Sequence, residues 1–182
     1  MKPDRQTLDT EVENIMSAPK DGAAIEMLCN RPDFGVRNFT DRLNVTAAGG
    51  VENCRWSKEP WLKLEDGSGD PRIQVSILHR RVLNMVWNED ETEAPHPGDT
   101  FIVDMDLSEE NLPVGTQLQA GTAVLEVTDK WNDACVKWKV RYGEDALDWV
   151  REPNHVPLRL RGVLCKIVQD GVIENGAKLT KL

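Results

Sequence analysis

From Thr100 to the carboxy terminus the chain is cut into short runs of strand-forming residues. Gly115, Gly121, Gly162, Gly171 and Gly176 punctuate those runs. Residues 100–105 are rich in strand formers, and 122–128 read as a clear strand. Residues 136–142 and 158–168 alternate apolar with polar side chains. Several short strands at this spacing bury their apolar faces only if the sheet closes or packs on another. The expected class is mainly β, a barrel or sandwich with a few short helices.

Helix is a minority in this reading. Residues 77–87 place Ile77, Val82, Leu83, Val86 and Trp87 roughly on one side, which predicts a helix. Residues 144–151 predict another: Ala146, Leu147 and Val150 share a face, acidic residues stand at its start, and Pro153 lies beyond its end. Residues 8–17 admit two readings. Thr10 and Glu13 form a candidate capping box, while Val12 and Ile15 suit an opening strand equally well. Loops are expected at 64–71 and 88–98, and neither is long enough to link domains. The expectation is therefore one domain over residues 1–182.

Charge narrows the function classes. Lys and Arg total 22 against 31 Asp and Glu, a formal net charge of −9. Such a surface repels a phosphate polymer, so nucleic acid is not an expected partner. No stretch is apolar enough to span a membrane, and the amino terminus lacks the apolar core of a secretory signal. Cys29, Cys54, Cys135 and Cys165 are far apart and form no CxxC pair. They read as reduced thiols of a cytoplasmic protein, not as a disulfide frame or zinc site.

Read as a strand, residues 133–142 put Val136, Trp138, Val140 and Tyr142 on the core face. Cys135, Lys137, Lys139 and Arg141 then share the other face. Cations beside a thiol favour the thiolate, the nucleophilic and metal-ligating form. The alternative is an ordinary thiol beside a solvated basic edge. Arg159 and Arg161 alternate with Leu158 and Leu160, so both are expected on one face near Lys137, as forks for a phosphate or carboxylate. Pairing with acidic residues across strands accounts for them as well. His79, His96 and His155 lack metal-ligand spacing and read as surface or loop residues. Asp104, Asp106, Glu109 and Glu110 read as a solvated acidic turn. Most of the six tryptophans are expected in the core or at the barrel ends.

The order of several motifs resembles the MOSC domain, found at the carboxy end of molybdenum cofactor sulfurases. They are Gly98-Asp99-Thr100, the run from Asp104 through Asn111-Leu112-Pro113 to Thr116, the run from Gly121 to Thr128, Cys135-Val136-Lys137-Trp138 and Leu158-Arg159-Leu160-Arg161-Gly162. The amino half adds Ser17-Ala18-Pro19, Arg31-Pro32 with Gly35 and Arg37, and Gly49-Gly50-Val51-Glu52-Asn53-Cys54-Arg55-Trp56. The likeness covers nearly the whole chain and is closest to the small stand-alone bacterial members. It implies a β-barrel with short helices, and sulfur transfer to, or binding of, a molybdopterin-type cofactor. It makes Cys135 the catalytic, sulfur-bearing or metal-ligating residue. It also implies an anion-binding set of Lys137, Arg159, Arg161, Arg37, Arg55 and Asn111, and a sulfur donor or molybdoenzyme as partner. The chain departs from the family pattern at Asn132, Ala134, Cys54 and Ala177. Two other readings are open: a non-catalytic module holding a phosphate-bearing ligand or acidic partner, and a small metabolic enzyme on a reused barrel.

Overall fold

The fold comes from a computed structural model, which describes residues 2–87 and 95–182. In chain order the strands are β1 Ala23–Glu26, β2 Cys29–Asn30, β3 Asn38–Phe39, β4 Arg42–Thr46, β5 Gly50–Val51, β6 Val75–His79, β7 Phe101–Val103, β8 Gln117–Ala120, β9 Ala123–Val127, β10 Val163–Gln169, β11 Gly171–Glu174 and β12 Lys178–Lys181. The helices are α1 Arg5–Thr10, α2 Val12–Met16, α3 Arg80–Val86, α4 Val136–Tyr142 and α5 Glu144–Arg151. Seven of the strands close into a barrel in the order β1-β12-β8-β9-β10-β6-β7, with β7 returning to β1. Every neighbour pair is antiparallel except β6 with β7. The protein is thus mainly β, as the turn-punctuated runs predict.

Alternation fills the barrel. Ile25, Val75, Ile77, Phe101, Val103, Leu118, Leu125, Val127, Val163, Cys165 and Ile167 all join one buried cluster. A second cluster lies outside the barrel wall. There Leu78 and Ile102 meet Leu8, Ile15, Val82, Leu83, Trp138, Tyr142, Trp149 and Val150. β6 is therefore buried along its whole length, with barrel interior on one face and helices on the other. Full burial of a large apolar side chain contributes about 1.5–3 kcal/mol, so both clusters are substantial.

Several sequence expectations change here. Residues 77–87 are not one helix: β6 runs through His79 and α3 follows. A strand buried on both faces shows no polar alternation, so its apolar run mimics a helix pattern. Residues 136–142 form α4, not a strand. Even spacing of apolar residues fits period 2, but Trp138 and Tyr142 are also i and i+4 on a helix. The helix buries that pair edge-to-face at 4.7 Å and leaves Val136 and Val140 exposed. Residues 8–17 form α1 and α2, with Asp4 accepting from the Thr7 amide as the cap. Helix 144–151 and strand 122–128 stand close to their expected places. Within the expected 88–98 loop, residues 88–94 lie outside the described residues. No helix among the described residues is long and apolar enough to cross a membrane. The acidic turn is partly structural: Asp104 pairs with Arg81, and buried Asp106 accepts from the Ser108 amide.

Two histidines are buried rather than on the surface. His79 caps α3 by accepting from the Arg81 amide through Nδ1, and its Nε2 lies 3.2 Å from the Ile15 carbonyl. Neutral imidazole with its proton on Nε2 satisfies both contacts. His96 accepts from the Gly98 amide and stands edge-on to Phe39 and Trp87. Burial pushes both rings down to about 4. The unfolded chain binds these protons near 6.5, so between 6.5 and 4 it holds more protons than the folded chain. Stability is complete above that window and falls as pH drops through it. We expect urea midpoints to decline from pH 6.5 towards 4, while the His79 and His96 ring resonances keep neutral-form positions down to pH 5.

Gly162 sets the entry to β10. Its φ is +89°, and a Cβ there would overlap the Ile77 carbonyl on β6. Gly176 has φ +84° with open space around it. Gly162→Ala should cost about 3 kcal/mol or more, and Gly176→Ala roughly 1 kcal/mol. Denaturant unfolding of the two variants checks the difference.

Candidate functional site

A cavity of about 390 Å³ opens beside the β6–β10 side of the barrel. Four pieces of chain wall it. The connection from β2 to β3 supplies Arg31, Phe34 and Arg37. The stretch after β5 supplies Cys54, Arg55, Trp56 and Trp61. Barrel ends and their flanks supply Ile73, Ser76, Asp99, Arg161 and Leu164. The segment from Trp131 into α4 supplies Trp131, Cys135, Lys137, Trp138 and Arg141.

Local chemistry places each wall. Trp56 lies against glycine backbone: a Cβ on Gly50 or Gly69 would overlap its ring. Its indole N–H donates to the Asp70 carbonyl at 3.0 Å. Gly50, just before Val51, and Gly69 thus leave room for the indole. Arg55 and Lys137 both sit over the Phe34 ring, at 3.8 and 4.1 Å. Phe34 thereby ties the β2–β3 connection to α4 across the mouth. Arg161 lies over the Trp138 ring at 4.6 Å and donates to Asp99 Oδ1 at 2.9 Å. The Arg37 guanidinium is held below its ordinary pKa by burial and by the neighbouring Arg141 charge.

Cys135 stands just before α4, after Ala134 in the left-handed region at φ +60°. The three other cysteines are buried, and Cys135 is exposed at the cavity. Burial pushes the Cys29 thiol up to about 11 and the Cys165 thiol up to about 12. Because α4 is a helix, the expected single row of three cations does not exist. Lys137 and Arg141 line the cavity, while Lys139 pairs with Glu144 outside it.

Five of the seven residues singled out from sequence line this one cavity: Cys135, Lys137, Arg161, Arg37 and Arg55. Arg159 and Asn111 lie elsewhere. Arg159 follows a short 3₁₀ turn in the left-handed region, so it and Arg161 do not leave a strand on one face as expected. Its buried guanidinium donates to the Leu112 carbonyl at 2.6 Å. Asn111 donates to the carbonyls of Lys20 and Asp106 and accepts from Lys181. Both brace the chain around residue 111. Sequence reading missed Arg31 and the aromatic walls. Trp61 and Trp131 are exposed at the cavity, not packed in the core. Their signal was aromatic residues set beside turn-dense loops.

The MOSC domain model matches residues 65–180, well over half of the chain. That span contains Asp99, Cys135, Lys137 and Arg161, while Arg31, Arg37 and Arg55 precede it. No curated protein matches the chain in sequence. Among solved structures, one described as a hypothetical protein is 18% identical with a TM-score of 0.60, over 88% of this chain and 67% of that one. The YuaD protein from Bacillus subtilis is 18% identical with a TM-score of 0.56, over 86% and 93%. YiiM from Escherichia coli is 17% identical with a TM-score of 0.57, over 88% and 69%. At such identities these neighbours establish the fold alone. The strand order, the span of the family match and the neighbours agree: the chain belongs to the MOSC domain family.

Proposed function

We propose that the cavity binds an anionic, ring-bearing ligand of the molybdenum cofactor type, and that Cys135 is the residue that carries sulfur or ligates its metal. One observation supports this most: the chain's one exposed cysteine shares a cavity with Arg31, Arg37, Arg55, Lys137, Arg141 and Arg161 in a protein of net charge −9. Positive charge gathered in a low-dielectric cleft attracts an anion that the rest of the surface repels.

The residues present fit such a group. Arg31, Arg37, Arg55 and Arg161 line the cavity with guanidinium groups, which suit the oxygens of an anion. Trp56, Trp61 and Trp131 offer faces for a flat ring. The described residues contain no cluster of three His, Cys, Asp or Glu able to hold a metal. A metal here would arrive on its own organic ligand and take one protein thiolate. When bound, the cofactor supplies the redox or sulfur-accepting chemistry. The protein's part is to hold the anionic end through its guanidinium groups and to present Sγ of Cys135. In sulfur transfer, Cys135 thiolate attacks the outer sulfur of a donor persulfide. A new S–S bond forms on Cys135 and the donor leaves as its thiolate.

In native protein at neutral pH, iodoacetamide should modify Cys135 at least about tenfold faster than Cys29, Cys54 and Cys165. Cys135→Ser should remove the fast phase and the ability to take a persulfide. Timed alkylation with peptide mass mapping measures both. Modification of Cys135 only on unfolding would leave the cavity as a passive binding site.

A further inference from the structure

A second, shallower groove runs along α4 and is lined by Phe34, Gly35, Val136, Lys137, Val140 and Arg141. Phe34, Gly35, Lys137 and Arg141 line the cavity as well, so groove and cavity share a lip. Val136, where the groove begins, directly follows Cys135 in the chain. Three large apolar side chains stand open here: Val136 is 69%, Val140 68% and Phe34 60% exposed. Core packing does not account for them. α4 buries Trp138 and Tyr142, and turns Val136 and Val140, one helical turn apart, to solvent. Helix formation does not account for them either, since Val is a weaker helix former than Ala, Glu or Lys at an exposed position. A single exposed apolar residue is ordinary, but three lining one groove mark a contact surface.

Charge narrows what that surface meets. Lys137 and Arg141 belong to the groove, and neither has a carboxylate partner among the described residues. Lys139 on the same helix does have one, in Glu144. Two unpaired cations are conspicuous in a chain with 31 acidic and 22 basic side chains. We propose that this groove docks an acidic, aliphatic segment of a partner protein at the mouth of the cavity. Carboxylates of the segment pair with Lys137 and Arg141, while its aliphatic side chains cover Val136, Val140 and Phe34. Arg31, Arg37, Arg55 and Arg161 line the cavity and not the groove, so they stay available to a ligand. A second copy of this chain fits less well. A two-fold contact through the groove sets Lys137 and Arg141 against their own counterparts, and each chain carries −9. An anionic lipid surface is repelled by the same net charge, and three apolar side chains make a small anchor. Docking needs no chemistry at Cys135, so it stands apart from the sulfur-carrying role.

The probe is a fluorescein-labelled amphipathic peptide of Leu and Glu, titrated with the full chain and read by anisotropy at physiological salt. One control peptide carries Lys in place of every Glu; another keeps the composition and scrambles the Leu spacing. The acidic amphipathic peptide should bind saturably, with a dissociation constant at least about tenfold below either control. Val140→Glu should weaken that binding at least about tenfold, because it sets a carboxylate in the groove. Val140 is exposed and outside the cavity lining, and Glu is the better helix former, so the variant keeps the fold. No saturable binding, equal binding of either control, or binding unchanged in Val140→Glu overturns the proposal. So does attachment to phosphatidylcholine–phosphatidylglycerol vesicles, or concentration-dependent dimerisation, that Val140→Glu abolishes. If Val140→Glu does not fold, the three peptides on the unaltered protein decide. Iodoacetamide labelling of the same samples separates the groove from the thiol. Peptide binding with a silent Cys135 keeps the groove and removes the sulfur-carrying role; fast Cys135 labelling without peptide binding does the reverse.

Discussion

β6 is the strand on which the rest of the molecule hangs. It pairs with β7 in parallel and with β10 antiparallel, so it has no free edge. One of its faces fills the barrel and the other seats the helical layer. A parallel neighbour needs a crossover, and α3 begins that crossover directly from His79. Ser76 lines the cavity from the same strand, and the Ile77 carbonyl fixes where Gly162 passes. The residue before that glycine is Arg161. Barrel closure, helix packing and the placement of one cavity arginine thus share a single five-residue segment.

Electrostatics at the cavity run against the charge of the whole molecule. Six cations face it although acidic residues outnumber basic ones in the chain. Aromatic rings keep those cations apart and oriented: Phe34 sits beneath Arg55 and Lys137, and Trp138 beneath Arg161. A ring face offsets part of a cation's charge without neutralising it, so the guanidinium groups stay available to a ligand. Among the described residues, Arg161 alone of these cations has a carboxylate partner in the cavity, Asp99.

The sequence made the β class and several elements legible because their signals are local. Residues 122–128 are a run of strand formers between turns, and 144–151 carry an apolar face with a charged start. The class held even where single elements did not. Residues 136–142 failed because an apolar spacing of two is also a spacing of four; only burial of Trp138 and Tyr142 decides between them. Residues 77–87 failed because a strand covered on both faces loses its polar alternation. At the site, the types Cys, Lys and Arg were visible, but their grouping was not. Arg37 and Arg161 are far apart in sequence, and only the fold brings both to the wall of one cavity. Arg159 looked equivalent to Arg161 until a left-handed residue turned it towards the Leu112 carbonyl.

The cavity is assembled from two sources with different freedom to vary. Asp99, Arg161 and the thiol of Cys135 lie in the span that matches the MOSC domain, next to strands whose interior is filled. Its rim comes largely from the stretch between Arg31 and Trp61, ahead of that span. Rim positions such as Phe34, Val36 and Trp61 are exposed, so exchanging them sacrifices little core packing. Selection can therefore rewrite what the mouth admits while leaving the barrel and its thiol untouched. In evolutionary terms the protein is a fixed barrel under a replaceable collar.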